Sequence, residues 1–314
     1  MKKFLTKLII FLLPFLFSYL LLESKLSQIP TFYSQKKEFL ESQLNEIEVL
    51  SIGSSHGNSI NPQFLSHKGF NLFNDAEDIY YDVQLIEKYL NRMPNLKLIV
   101  MPISFFSLEY RIDHSPHEVR EPFYKFTWNI FPQDFITLLD FRYFSYTAMY
   151  GWREVVSYIG NGFVSKNTQK LDNNGWREIG NNAIIDSPEA KHNGWTDYIS
   201  QESLMMDAGA INGNMGLLSR IIEICQKRHI KVMLITTPVH HYYYDHIDPL
   251  KYQNMQDHLN QLVNKYNVSY FNFLRDPRFE TADFYVSDHL NAQGAEKFSK
   301  LLDPIITNEL DHPN

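Results

Sequence analysis

Five runs of four to eight residues are dominated by apolar side chains, and segments with helical spacing alternate with them. The runs are Ile47–Ile52, Phe70–Phe73, Leu96–Met101, Ile230–Thr237 and Val268–Asn272. A strand with one wet face alternates apolar and polar residues, whereas a strand that is apolar nearly throughout is covered on both faces. Strands of the second kind, alternating with helices, build a parallel sheet between two helical layers. Val83, Leu85, Ile86, Tyr89 and Leu90 mark a helix between Tyr80 and Met93. Further helices are expected over Met215–Arg228, Lys251–Tyr266 and Ala292–Leu310, the last with Asn291 as its N-cap. The expected fold class is α/β: a three-layer α/β/α sandwich around a five-stranded, mostly parallel sheet, with a large insertion after the third strand.

That insertion runs from about residue 109 to 214. It is rich in Tyr, Trp, Phe, Asn and Gly and lacks clean periodicity, so it is read as a lid or substrate-recognition region rather than a second folded domain. At the other end of the chain, Lys2, Lys3 and Lys7 precede an apolar stretch from Leu8 to Leu22. A positive flank followed by an apolar run is an export signal. The residues Leu20 to Ser24 make a poor cleavage site, which favours an uncleaved anchor, and a span that includes Phe4 and Leu5 approaches the length needed to cross a bilayer. The division expected is an anchor at 1–23, a polar linker at 24–45 and one domain at 46–314. The positive-inside rule turns that domain away from the cytoplasm.

The formal net charge of −7 and the absence of a basic stripe exclude a nucleic-acid partner. A single cysteine, Cys225, allows no disulfide within the chain, and its helical, apolar neighbourhood reads as a buried thiol rather than a nucleophile. The 12 histidines form no His-Glu-x-x-His or Cys/His pattern, so no metal is expected, and no phosphate-binding glycine loop suggests a nucleotide or other cofactor.

In an open parallel sheet the reactive groups collect at the carboxyl ends of the strands. Those ends carry Gly53-Ser54-Ser55-His56-Gly57, Asn74 to Asp78, Pro102-Ile103-Ser104, Pro238-Val239-His240-His241 and Ser287-Asp288-His289-Leu290-Asn291. A serine hydroxyl needs a base with a pKa near the working pH before it becomes a useful nucleophile, and histidine supplies one. Gly53 and Gly57 let the first turn bend sharply, and the Ser55 N–H could face a developing oxyanion. His240 and His241 are rival bases. His56 is either a second residue behind the site or a contact to the acyl acceptor.

These blocks resemble the SGNH, or GDSL-like, hydrolase superfamily, whose flavodoxin-like sheet carries the nucleophile after the first strand and the catalytic histidine before the last helix. The resemblance implies Ser55 as nucleophile and His289 as general base. The family's aspartate, three residues before the histidine, falls at Val286; Asp288 is adjacent to the histidine instead and is the candidate orienting acid. Neighbouring side chains in an extended segment tend to diverge, which counts against that role. The family's oxyanion glycine has no clear match between Asn74 and Asp78. Its asparagine after the third strand is replaced in that neighbourhood by Ser104. Gly53, His56 and Ser104 are therefore the candidates for oxyanion or substrate contacts.

With the N-terminal anchor, the whole looks like the anchored SGNH-like proteins of bacterial cell envelopes that serve polysaccharide or teichoic-acid modification. The resemblance implies transfer or removal of small acyl groups on a cell-surface glycan or other acyl-carrying polymer. It also implies a membrane-bound O-acyltransferase as partner. The alternative is a non-catalytic glycan-binding or assembly component that keeps the fold. A separation of Ser55 from His289 beyond hydrogen-bond reach would favour that alternative.

Overall fold

The computed structural model describes residues 1–134, 139–164, 170–179 and 205–311. The chain divides into two compact units, one of residues 1–35 and 119–169, the other of residues 36–118 and 170–314. In chain order the main elements are α1 (Lys2–Leu26), α2 (Phe32–Gln43), β1 (Val49–Ser51), β2 (Gly69–Asn71), α3 (Ile79–Tyr89) and β3 (Leu98–Pro102). After these come α4 (Glu121–Trp128), α5 (Tyr146–Gly160), α6 (Ile211–Gln226), β4 (Lys231–Thr236), α7 (Pro249–Tyr266) and β5 (Ser269–Asn272). The chain then forms β6 (Phe284–Val286), β7 (His289–Leu290) and α8 (Ala292–Asp311).

The second unit holds the sheet, in the order β2-β1-β3-β4-β5 with every pairing parallel. This is the doubly wound, flavodoxin-like order, and it places a switch of direction between β1 and β3. Side chains alternate across a strand. Val49, Leu98, Val100, Met233 and Ile235 therefore share one face, where they pack on Phe298, Leu302 and Ile306 of α8. Burying each of those three α8 side chains contributes about 1.5–3 kcal/mol. On the other face α3 packs against α6, which also meets β4. Of the two edge strands, β5 is only partly buried, whereas β2 is buried.

Pro102 lies at the end of central strand β3, where proline normally costs a ladder bond. Here it costs none. The Ile103 N–H points to β4 and donates to Ile235, so position 102 faces β1, whose last pairing is Ser51 with Val100. The chain leaves β1 instead through Gly53, at φ 142°, a backbone conformation that L side chains rarely adopt. A Cβ on Gly53 would lie 3.4 Å from the Pro102 carbonyl oxygen. The loop that carries Ser55 thus passes over the end of the neighbouring strand.

The first unit contains α1, 25 residues long and apolar enough to cross a membrane by length and composition. Its folded part is built on rings: Tyr33 packs on Phe123, Tyr124 and Trp128 with centroids 5.3 to 5.6 Å apart. Helix α5 bends at Gly151, at φ 74°, and its Val155 packs with Leu26 and Ile29.

Candidate active site

Ser55 opens a 3-10 turn, Ser55–Ser59, directly after β1. The loop is tied down from below. Asn71 Nδ2 donates to the carbonyls of Gly57 and Ile60 at 2.7 and 2.6 Å, and the Asn74 N–H donates to Gly53 at 3.0 Å. A Cβ at Gly57 would come within 2.8 Å of the Phe73 side chain, which explains the second glycine.

His289 arrives from the opposite end of the unit's sequence. β6 and β7 form a two-stranded antiparallel ladder with Val286 opposite His289 and Ser287-Asp288 as the turn. The block Asn291-Ala292-Gln293-Gly294 fixes this hairpin to α8. Asn291 Oδ1 accepts from the Gly294 N–H at 2.9 Å, as an N-cap does, while its Nδ2 donates to the Ala282 carbonyl at 2.7 Å. A Cβ at Gly294 would lie 2.0 Å from the Asp283 carbonyl oxygen, so only glycine fits there.

The two ends meet. His289 Nε2 lies 2.8 Å from Ser55 Oγ. On the far side of the ring, Nδ1 lies 2.9 Å from Asp288 Oδ1. That approach falls outside hydrogen-bond alignment, since neither atom has a hydrogen-bond partner by angle. It is a close charge contact that favours a proton on Nδ1, and in that tautomer Nε2 accepts from the serine hydroxyl. The expected divergence of the Asp288 and His289 side chains is thus corrected. The pair spans a tight turn rather than an extended segment, and the turn swings the carboxylate beneath the ring.

Asp288 and His56 are buried, whereas the His289 side chain is 17% exposed and Ser55 is half-buried. The reactive atoms therefore meet solvent while their support does not. Burial pushes the Asp288 pKa up, but the His289 and His56 rings outweigh it and hold the carboxyl well below the usual range. Burial pushes His289 down, but the Asp288 charge prevails and raises its pKa above the ordinary value. His56 goes the other way: burial dominates and keeps it neutral. Its Nε2 lies 3.6 Å from Asp288 Oδ2, too long for a hydrogen bond. Its ring centroid is 4.8 Å from that of His289. His56 is thus a neighbour of Asp288 and of the His289 ring. Ligand atoms of His56, Asp288 and His289 lie within 4.8 Å of one another, so these three could also hold a metal ion.

The other candidates lie apart from this contact. Ser104 is buried after β3, where its N–H donates to Ser107 Oγ at 2.9 Å, and its own hydroxyl has no partner among the described residues. His240 caps the short helix His241–Tyr244, and its Nε2 contacts Thr281 Oγ1 at 3.0 Å. His241 contacts Asp245 at 3.6 Å. The Cys225 thiol is pushed up to about 12 by burial.

One feature of the site has no signal in the sequence pattern. Arg177, inside the insertion, forms a two-pronged ion pair with Asp75 after β2, at 2.7 and 2.8 Å. The charges of both residues act on His289. Asn58 clasps the same segment, donating to the Arg177 carbonyl at 3.0 Å and accepting its N–H at 3.1 Å, while Trp176 Nε1 donates back to the Asn58 carbonyl at 2.8 Å. A Gly-Trp-Arg tripeptide in a non-periodic insertion is the nearest thing to a clue.

No protein-family model matches the chain, and neither does any curated protein. Among solved structures, the chain is similar to an acylhydrolase candidate from Bacteroides fragilis, with TM-score 0.43 and 11% identity over 88% of this chain and 95% of that one. It is also similar to a GDSL-like lipase from Bacteroides thetaiotaomicron, with TM-score 0.41 and 11% identity over 90% of this chain and 98% of that one. Likenesses of this extent identify neither a substrate nor a catalytic residue.

Proposed function

We propose that the chain is a membrane-anchored, extracytoplasmic serine enzyme that transfers an acyl group to, or hydrolyses an ester on, a cell-surface polysaccharide. The observation that carries the chemistry is the 2.8 Å contact between Ser55 Oγ and His289 Nε2, with Asp288 against the other ring nitrogen. This is the relay that makes a serine nucleophilic, and the contact favours catalysis over glycan binding alone. The location rests on the apolar helix α1 and the lysines that precede its apolar stretch.

His289 takes the proton from Ser55 as the oxygen attacks the acyl carbon. The Ser55 N–H, first in its turn and so without an intrahelical acceptor, faces the oxyanion. The leaving oxygen takes the proton back from His289, and the acyl group stays on Ser55. A sugar hydroxyl or water then gives its proton to His289 as its oxygen attacks the acyl carbon, and His289 passes that proton to the Ser55 oxygen as the Ser55–acyl bond breaks. Asp288 holds the ring in the required tautomer and stabilises the transient imidazolium. Aromatic side chains of the part of the insertion that belongs to the sheet unit stack on the glycan, and a membrane-bound O-acyltransferase supplies the acyl group.

The test is trapping with a serine-directed phosphonate, read by intact mass. One adduct is expected on the wild-type chain and none on Ser55→Ala. A folded wild-type protein that takes up no phosphonate would leave the glycan-binding alternative in possession of the site.

A further inference from the structure

The first unit carries an apolar surface that its own fold leaves uncovered. Phe141, Phe144, Trp152, Val156 and Ile159 are between 52% and 80% exposed. Trp152, Val156 and Ile159 follow one another at i, i+4 and i+7 along α5 beyond the Gly151 bend, so they share one face of the helix. The neighbouring face is occupied: Val155 is buried against Leu26 and Ile29, with Leu22, Tyr150 and Tyr158 around them.

The height of this surface along α1 is set by hydrogen bonds. Tyr19 OH donates to Ser145 Oγ at 2.9 Å, and Ser145 Oγ donates to Glu23 Oε1 at 2.7 Å. The Glu23 carboxylate also accepts the N–H groups of Tyr146 and Thr147, at 2.7 and 3.0 Å. The start of α5 is thereby fixed at the turn of α1 that runs from Tyr19 to Glu23.

That turn is where an apolar span must end. From Phe4 to Leu22 the helix rises about 28 Å, close to the roughly 30 Å of a bilayer's hydrocarbon core. No apolar length is left over, so Tyr19 to Glu23 falls at the boundary between chains and headgroups. Phe144 precedes Ser145 directly, and the exposed ring of Trp152 is of the type enriched at that boundary. Arg153 beside Trp152 offers a cation at headgroup level.

We infer that residues 141–160 form an interfacial element that lays Phe144, Trp152, Val156 and Ile159 into the bilayer surface beside the anchor. The occupant of the apolar face is lipid. This rests on the reading of α1 as a membrane anchor. The element gives the unit a second membrane contact, so that α1 is not a lone tether.

The test uses the full chain in vesicles of phosphatidylcholine and phosphatidylglycerol carrying bromine near the carbonyl end of the acyl chains. The Trp152 signal is the difference between wild type and Trp152→Phe. A Phe11→Trp substitution in that second background reports on the anchor. Expected is quenching of both signals by brominated lipid, with Trp152 shielded from aqueous acrylamide. Quenching at position 11 with a Trp152 signal open to acrylamide would overturn the inference, leave the anchor standing and point to a protein on this face. No quenching at position 11 would remove the anchor itself, and the inference with it.

Discussion

The sheet unit buries acids and imidazoles beside one another as well as rings, whereas the unit of residues 1–35 and 119–169 buries rings with Glu121 as its one buried charge among the described residues. In the first, His56, Asp288, Asp78, Asp82, Glu77 and Lys36 are all nearly inaccessible. Burial raises the Asp78 pKa to about 6, and it drives Lys36 well below its ordinary value. In the second, Tyr33, Tyr124, Trp128 and Tyr143 fill the interior, and the buried Glu121 is met by the Tyr143 hydroxyl at 2.9 Å. A buried charge costs stability unless it is paired, and a fold concentrates such groups where shifted protonation is useful. Rings cost nothing of that kind and give area for packing. The contrast teaches a division of labour: one unit holds protons in set places, the other supplies surface.

Substitutions that break only one side of this contrast measure it. The largest effect is expected at Ser55 and His289, the proposed nucleophile and base. Ser55→Ala and His289→Ala should each lower hydrolysis of a small activated ester by on the order of 10³- to 10⁶-fold. Trp152→Phe in the ring-built unit should leave that rate unchanged. A loss at Trp152 matching that at Ser55, measured on the soluble ester, would erase the division. Asp288→Asn comes next, with a loss of about 10²- to 10⁴-fold. The pH profile separates its role from mere packing. His289 must be neutral to act, and its pKa lies above the ordinary value because of Asp288. Wild-type kcat/KM should therefore rise with pH through an inflection above about 6.5. In Asp288→Asn the charge is gone and burial remains, so the inflection should move downward. An unmoved inflection would mean that Asp288 does not face the working ring.

Much of this was legible in the sequence, and the limits have physical causes. The five strands announced themselves because a strand covered on both faces cannot hide its composition. Ser55 and His289 were legible as candidates because strand ends in a parallel sheet are few, and the fold brings the two into contact at 2.8 Å. Asn291 as cap was readable from its place before an amphipathic run, and it does accept the Gly294 N–H. The contact of Asp288 with the His289 ring was not legible because the turn between β6 and β7 was not visible; a hairpin of such short strands has no period to detect. The Arg177 and Asp75 pair lay beyond reach for another reason. Its members are 102 residues apart, and one of them sits in a segment without periodicity. Lys36 was placed in a polar linker, yet it is buried, with its ammonium 3.5 Å from the Phe73 ring centroid. A lysine at a buried helical position looks, in sequence, like a solvated one.

A smaller effect should follow from the glycine that locks the histidine hairpin. In Gly294→Ala the new Cβ would overlap the Asp283 carbonyl, so the hairpin or α8 must shift. The expected cost is about 1–3 kcal/mol, measured by denaturant unfolding. Because the shift falls beside His289, activity should fall with stability. Full activity in a destabilised Gly294→Ala protein would show that the hairpin's position is not what sets the serine–histidine contact.

The smallest effect isolates the other unit. Glu23 accepts from the Ser145 hydroxyl and from two backbone N–H groups at the start of α5, taking part of a cap's role from a helix more than a hundred residues away. Glu23→Gln keeps the shape but removes the charge and one acceptor oxygen. Losses of this kind cost about 0.5–2 kcal/mol, and they should appear locally because the groups released belong to one turn. Hydrogen exchange at the Tyr146 and Thr147 amides should quicken, while amides in β3 and β4 and the rate on a soluble ester stay as they were. Exchange that quickens in the sheet as well would mean that the two units unfold together, and the contrast between them would then be one of composition alone.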